Sequence, residues 1–186
     1  RDVERSRGLG DVYKRQIDYL FNNRIAIMSD NVTGMKELLE YIYSRGHRKI
    51  AYIHGAMSAV TSGRLSSFYR TAERLGLQIP DEYIREAAYR DTATTYRMTN
   101  ELLDLPDPPT CIIYPDDFAS FGGINAIRER GLRIPEDISV AGYDGIQFAR
   151  QLEPKLTTVQ QDTEQIGCLA AVSYTHLRAH ETSLHL

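Results

Sequence analysis

The sequence predicts an α/β fold built on a doubly wound parallel sheet. Short apolar runs alternate with segments in which apolar residues recur at helical spacing, a pattern that is typical of strands joined by crossover helices. Several apolar runs end directly in acidic or amide residues. Because the carboxyl ends of parallel strands meet at one edge of a sheet, this placement predicts a ligand site at that edge.

The strands are predicted from apolar runs bounded by turn residues, and the helices from the spacing of apolar residues. The predicted strands are residues 25–28, 50–54, 84–88, 111–114, 138–141 and 157–159. The predicted helices are residues 33–45, 63–75, 92–103, 117–130 and 162–171. Proline-containing connections at 80–81 and 106–109 separate periodic segments, as expected for α/β loops.

The stretch that begins at Gly131 is the most informative part of the chain. A helix ends at Gly131, and Pro135 and Asp137 turn the chain. The apolar strand 138–141 then runs almost directly into Asp144. A carboxylate is therefore delivered to the carboxyl end of a buried strand, which favours a small-molecule site there.

The order of these pieces resembles the lactose/galactose-repressor family of bacterial transcription regulators, from about residue 17 to residue 171. The matching pieces are Asp30-Asn31 with Gly34, residues 45–53, Arg64, residues 116–119, residues 131–145 and residues 154–161. The resemblance implies a periplasmic-binding-protein-like type I effector domain, whose two lobes are joined by three chain crossings. It also implies that residues 31–160 form most of the C-terminal lobe, that residues 17–30 are a remnant of the N-terminal lobe, and that residues 161–171 return to it.

The two ends of the chain look foreign to this family. A DNA stretch that can encode residues 6–16 has a complementary strand that encodes residues 172–181. This element resembles the adapter that a transposase attaches to DNA fragments before sequencing. We therefore interpret residues 1–16 and 172–186 as adapter-like, non-native segments that do not pack on the core, and the natural polypeptide as truncated to about residues 17–171.

The resemblance implies that Arg64 and Asp144 bind the effector in a cleft. Asp144 would accept two hydroxyl protons, and Arg64 would donate to ring or hydroxyl oxygens, or to a carboxylate or phosphate of the ligand. The alternative is that these two residues cap helices or pair on the surface. We expect Arg64 to lie at the start of a helix and both side chains to be solvated in the open cleft.

Other site residues are weaker candidates. Asp116 stands where the family usually has Asn, and its extra carboxylate would favour a ligand that is rich in donors or positively charged, whereas Asp117 is interpreted as the N-cap of the next helix. Asp18 and Gln161 occupy the family's contact positions near two crossings between the lobes. Arg90 lies where some members place an aromatic ring over the sugar, a stacking role that its charge disfavours.

Several function classes are disfavoured by the sequence. The centre shows no catalytic constellation, glycine-rich phosphate loop or metal-ligand spacing, so we expect no enzymatic step, no cofactor and no metal. His176 and His180 have the spacing of metal ligands but lie in an adapter-like end. No apolar run is long enough to cross a membrane. The formal net charge of -3 gives no basic excess for nucleic acid, and the two cysteines fit a reducing compartment.

These observations favour a fragment of the effector-sensing domain of a cytoplasmic transcription regulator that binds a sugar-like molecule. The resemblance implies operator binding through a headpiece outside this chain and a homodimer in the intact protein, with the effector biasing a two-state equilibrium. One alternative is an exported sugar-binding protein of a transport system, which shares the two-lobe fold. A remote alternative is a phospho-accepting signalling domain, suggested by the adjacent acids Asp116 and Asp117.

Overall fold

The computed structural model describes residues 16–17, 26–27, 29–169 and 171 of the chain. The chain divides into two compact units, of which the larger is Asp30–Gln161. The smaller unit combines the residues before and after that range. No helix among the described residues has both the length and the apolar composition that a bilayer crossing requires.

The strands and helices have the following bounds. The strands are β1 (Gln16–Ile17), β2 (Ala26–Ile27), β3 (Ile50–His54), β4 (Ile84–Glu86), β5 (Cys111–Ile113), β6 (Ser139–Asp144) and β7 (Thr157–Gln160). The helices are α1 (Asn31–Ser44), α2 (Ala59–Arg74), α3 (Thr92–Leu103) and α4 (Asp117–Glu129).

The larger unit is built on a five-stranded sheet in the order β4-β3-β5-β6-β7. All neighbouring strands in it are parallel. This arrangement confirms the predicted α/β class, and the strands predicted near residues 50, 111 and 138 are neighbours in the sheet. Since the strands are parallel, their carboxyl ends meet at one side of the sheet, which we call the carboxyl edge.

The sheet is buried on both faces. Alternate residues of a strand lie on opposite faces, so Ile50 and Tyr52 pack in the same apolar cluster as residues of α1 and α2. Ala51 and Ile53 pack in a second cluster with residues of α3 and α4. All five residues of β3 are therefore buried, as expected for a central strand of a doubly wound sheet.

Two helices begin earlier than predicted, because each is capped by a side chain that the apolar pattern does not reveal. The Oδ1 atom of Asp30 accepts a hydrogen bond from the backbone N–H of Thr33 at 2.9 Å, so α1 begins at Asn31 and not at residue 33. Ser58 Oγ accepts from the backbone N–H of Thr61 at 3.1 Å, so α2 begins at Ala59 and not at residue 63. Arg64 consequently lies in the second turn of α2, and the prediction that it starts the helix was wrong.

In the smaller unit the description is confined to short segments. β1 and β2 are parallel, with Gln16 paired to Ala26, so the expectation that residues 1–16 do not pack is wrong at Gln16. Residues 163–169 are helical, within the predicted helix 162–171. Residues 1–15 and 172–186, which complete the adapter-like segments, lie outside the described residues.

The close approach of α3 and α4 predicts a substitution that the fold will not tolerate. A Cβ atom at Gly122 would lie 2.0 Å from the backbone oxygen of Thr92. We expect Gly122→Ala to lower the free energy of unfolding by about 1–3 kcal/mol, because one helix must shift to remove the clash.

The matched control is Gly63→Ala in the interior of α2, where the nearest atom to the new Cβ is a side-chain carbon of Val32 at 3.9 Å. This change should stabilise the protein by about 0.5–1 kcal/mol, since alanine loses less backbone entropy than glycine. Urea unfolding of both variants measures the two effects. Effects of the same sign would show that helix propensity, and not the α3–α4 contact, governs Gly122.

Candidate functional site

The carboxyl edge brings most of the predicted site residues together. Arg90 follows β4, Asp116 follows β5, Asp144 ends β6 and Gln161 follows β7. Arg64 reaches the same edge from α2, through a hydrogen bond to the backbone oxygen of Pro115 just after β5. Asp18 lies outside the described residues.

The Arg64 guanidinium is enclosed by polar and aromatic groups. Its Nε donates to Asn31 Oδ1 at 2.8 Å, and its Nη1 donates to the Pro115 carbonyl at 3.0 Å. Its Cζ lies 3.5 Å from the ring centroid of Tyr143, and its Nη2 lies 3.9 Å from Asp144 Oδ1. Arg64 is only 3% exposed, so the expectation of a solvated side chain was wrong.

Sequence reasoning missed the two side chains that accommodate this charge. Asn31 is the first residue of α1, and it is buried although it is polar. Tyr143 is fully buried next to Asp144, and its ring face is attractive to a cation. The signal for Asn31 was present, because it directly follows Asp30 after an apolar run. No local signal marks Tyr143 as a partner of Arg64, because the two residues lie on different elements.

Asp144 has the open carboxylate of the site. Its side chain is 38% exposed, and its Oδ1 accepts a hydrogen bond from Gln161 Nε2 at 2.6 Å. The backbone N–H of Gln161 also donates to the Asp144 carbonyl at 3.1 Å. Asp144 adopts a φ of 113°, which is unusual for a residue other than glycine and costs conformational energy. Strain of this kind at a strand end favours a functional role.

The electrostatic surroundings of Asp144 act in opposite directions on its pKa. The pKa of this carboxyl is raised to about 6, because the effect of burial outweighs that of the nearby Arg64 guanidinium, which lowers the pKa. The carboxylates of Asp116 and Asp117 raise it, and the hydrogen bond from Gln161 lowers it. Asp144 therefore changes between its neutral and ionised forms in the pH range just below neutrality.

The two adjacent acids after β5 do not have the roles predicted for them. Asp116 is the N-cap of α4, since its Oδ1 accepts from the Ala119 backbone N–H at 2.7 Å. Asp117 is buried and accepts from the Ile146 backbone N–H at 2.8 Å and from Thr158 Oγ1 at 2.5 Å. The prediction that Asp117 is the N-cap was wrong, because the backbone is still extended at Asp116 and the helix already includes Asp117.

Asp117 links the start of α4 to the segments around β6 and β7. Burial raises the pKa of its carboxyl, and the hydrogen bonds from Thr158 and Ile146 oppose that rise. Both of its oxygens are engaged by other parts of the fold, Oδ1 by Thr158 and Oδ2 by Ile146. Asp117 therefore stabilises the segments that form the site, and both of its oxygens are already used within the fold.

Arg90 lies in the loop after β4 in a strained backbone conformation. Its φ is 62°, and its backbone N–H donates to Asp116 Oδ2 at 2.8 Å. The side chain is exposed. Among the residues that the structure describes, no cluster of three or more His, Cys, Asp and Glu side chains has the arrangement of a metal site. The chemistry that the site offers is hydrogen bonding to polar groups of a ligand.

Comparison with known proteins gives a family match over most of the chain. A family model described as a periplasmic binding protein-like domain matches residues 39–182. This match includes residues 172–182, which we interpret above as part of an adapter-like segment.

Two curated relatives and one solved structure illustrate the similarity. The probable HTH-type transcriptional repressor ExuR of Bacillus subtilis (strain 168) is 36% identical over 146 residues, which are 78% of this chain and 44% of that protein. The HTH-type transcriptional repressor CytR of Escherichia coli (strain K12) is 32% identical over 139 residues, 74% of this chain and 40% of that protein. The crystal structure of a regulatory protein of the LacI family from Chloroflexus aggregans is 31% identical with a TM-score of 0.74, and the match covers 81% of this chain and 53% of that one. The chain thus spans less than half the length of these two curated relatives.

The enclosure of Arg64 predicts that this residue is structural as well as functional. We expect Arg64→Ala to lower the free energy of unfolding by about 3 kcal/mol, because buried acceptors on Asn31 and Pro115 lose their donor and Asp144 loses its counter-charge. Chemical denaturation measures the change.

Arg70→Ala is the matched control, because Arg70 is an exposed arginine of the same helix whose Nε makes a long 3.3 Å bond to the Ser66 carbonyl. Its effect should stay within about 0.5 kcal/mol. A similarly small effect for Arg64→Ala would show that the guanidinium contributes no net stability to the carboxyl edge.

Proposed function

The chain belongs to the periplasmic binding protein-like domain family, and from this we infer that it forms part of the effector-sensing domain of a bacterial transcription regulator. Both curated relatives named above are HTH-type transcriptional repressors, which favours this function over that of an exported sugar-binding protein. The proposal assigns no catalytic step to the chain. Its setting would be the cytoplasm, where operator DNA is found.

We place the effector at the carboxyl edge, and the observation that carries this proposal is the pair formed by Arg64 and Asp144. Their 3.9 Å separation is too long for a direct hydrogen bond. A hydroxyl group is both donor and acceptor, so one ligand hydroxyl can accept from Arg64 while it donates to Asp144. Sugars and polyols carry several such groups, which makes them the ligand class that this pair fits best.

The neighbouring residues support the pair in different ways. Gln161 donates to Asp144 and so fixes the orientation of the carboxylate. Arg90 lies at the same edge and is exposed, which suits a second contact to the effector. Asp116 is 3% exposed and uses both oxygens within the fold, so a direct ligand contact by Asp116 is weakly supported. A contact by Asp18 is still a prediction.

Effector binding at Asp144 is transmitted through Gln161. Gln161 is the last residue of the larger compact unit, and the chain continues from it into the smaller unit at Asp162. A ligand that binds Asp144 therefore affects a residue that is hydrogen-bonded to Gln161, the point at which the chain leaves the larger unit. Such a ligand shifts a two-state equilibrium by its difference in affinity for the two states. Operator binding through a headpiece outside this chain, and a homodimer, complete the proposed mechanism.

Ligand titration of the chain tests the site. We expect one class in a panel of sugars, polyols and nucleosides to bind saturably, and Asp144→Asn to weaken that binding by about tenfold to a hundredfold, as loss of a charge-assisted hydrogen bond does. The ionised carboxylate is a stronger acceptor of hydroxyl protons than the protonated carboxyl group. The affinity should therefore be greatest at a pH well above the Asp144 pKa of about 6 and fall as the pH drops through that value.

In Asp144→Asn this pH dependence should disappear. Asp107→Asn is the control, because Asp107 is an acid whose side chain is 70% exposed and which lies in the loop before the amino end of β5. Calorimetry at several pH values provides the measurement. Equal affinity in the wild type and in folded Asp144→Asn would exclude Asp144 from the site.

A chimeric repressor tests the coupling to DNA. The segment of the Bacillus subtilis relative that aligns with residues 30–161 of this chain is replaced by those residues. Operator binding is then measured with and without the ligand found by titration. We expect the ligand to change operator affinity by roughly 5-fold to 150-fold, the usual range of allosteric coupling. A chimera that binds both ligand and operator, with no effect of one on the other, would contradict the proposed sensing role.

A further inference from the structure

We propose that Asp116 is a positioning residue which holds Arg90 at the carboxyl edge, and that the Arg90 guanidinium selects an anionic group on the effector. The inference rests on the proposed function for its ligand, but its structural half stands on contacts within the chain. Asp116 then acts through Arg90 and does not touch the ligand itself. The class of ligand is a polyhydroxylated molecule that carries a carboxylate or phosphate.

The two oxygens of Asp116 accept from two different backbone segments. Oδ1 accepts from the Ala119 N–H at 2.7 Å and caps α4, while Oδ2 accepts from the Arg90 N–H at 2.8 Å. Asp116 is 3% exposed, so water does not replace either contact readily. The carboxylate therefore ties the loop after β4 to the end of β5.

Only a carboxylate satisfies both backbone donors. An asparagine at position 116 has one acceptor oxygen, and its NH₂ group would face one of the two N–H groups, donor against donor. A buried N–H without an acceptor is costly, so the loop would move or the cap would open. The acid at position 116 is thus explained by the geometry of the loop that it holds.

The loop around Arg90 is fixed on both sides. The Tyr89 ring occupies the space beside Gly55, where an added Cβ would lie 2.3 Å from the ring, and the Tyr89 hydroxyl is 2.9 Å from Thr61 Oγ1. On the other side, Asp91 caps α3 by accepting from the Thr94 N–H at 2.9 Å. Between these anchors Arg90 keeps a φ of 62°, a conformation that persists only where the surroundings impose it.

The two arginines of the edge differ in what they offer to a ligand. Arg64 is enclosed, and its charge already faces Asp144 and the Tyr143 ring. Arg90 is exposed and forms no ion pair with an acidic group of the described residues. A planar guanidinium on a fixed backbone suits bidentate contact with a carboxylate or phosphate. The carboxyl edge thus combines a hydroxyl site at Arg64 and Asp144 with an anion site at Arg90.

Native-state hydrogen exchange of the unliganded chain tests the positioning role. In Asp116→Asn we expect the exchange protection of the Arg90 amide, the Ala119 amide or both to fall by about tenfold or more, since one acceptor is lost. Asp91→Asn is the matched control, because Asp91 accepts from one backbone amide and asparagine caps helices equally well. Protection of the Arg90 amide in Asp91→Asn should be unchanged.

Two probes that differ in one charged group test the selection of an anion. D-glucuronate and D-glucose are titrated into the wild type, Arg90→Gln, Asp116→Asn and Asp91→Asn. The wild type and Asp91→Asn should prefer glucuronate, and Arg90→Gln and Asp116→Asn should lower that preference by about tenfold. A merely structural role of Asp116 would weaken both sugars equally and leave the preference unchanged.

The outcomes separate this inference from the proposed function. Unchanged protection of both amides in Asp116→Asn overturns the positioning role, and an unchanged preference in Arg90→Gln overturns the anion site. Inorganic phosphate is titrated as a third probe; if neither sugar binds the wild type but phosphate does, the anion site stands without the sugar. If no probe binds, the ligand half fails and the exchange measurement alone decides the role of Asp116. The proposed function fails as well only if the wider panel of sugars, polyols and nucleosides also does not bind.

Discussion

The burial of one guanidinium organises the carboxyl edge. A cation removed from water must recover its lost hydration from fixed partners, or the fold loses several kcal/mol. Arg64 recovers it from Asn31 on α1, from the Pro115 carbonyl after β5, and from Tyr143 and Asp144 on β6. These partners come from separate elements, so the position of Arg64 relates those elements to one another.

The acids at the end of β5 extend this arrangement to the rest of the edge. Asp117 accepts from Ile146 and Thr158, so the start of α4 is joined to the segment after β6 and to β7. Asp116 turns the other way and joins α4 to the loop after β4. Asp116 and Asp117 are adjacent in the sequence, and together they connect the regions next to the two edge strands, β4 and β7. Asp144 stays partly open between them, with its Oδ1 bonded to Gln161.

Most of the strands were predictable because the evidence for them is local. A buried parallel strand is a short apolar run, and α3 has the predicted bounds, Thr92–Leu103, because a strong helical period lies between clear loop signals. The start of α2 was missed because a single serine at position 58 caps it. Which of two adjacent aspartates caps α4 depends on where the extended backbone ends, and the residue types alone do not reveal that.

The candidate site was predictable in its position and not in its internal bonding. The carboxyl edge follows from topology, and the strand ends placed Asp116 and Asp144 there. Arg90 and Gln161, which the family resemblance indicated, lie at the same edge. The enclosure of Arg64 was not foreseen, because its partners Asn31 and Pro115 are 33 and 51 residues away in the chain. Contacts of that separation are set by tertiary packing, for which a single sequence holds no local signal.

The backbone strain at this edge is consistent with a site that must keep one geometry. Arg90 and Asp144 are the non-glycine residues with positive φ among the described part of the chain, and each follows or ends a strand of the sheet. Such conformations cost about 1–3 kcal/mol each and persist only where surrounding bonds impose them. Asp116 holds Arg90, and Gln161 holds Asp144. Binding to groups that are already fixed in this way costs little entropy for ordering them, so more of the contact energy is retained as affinity.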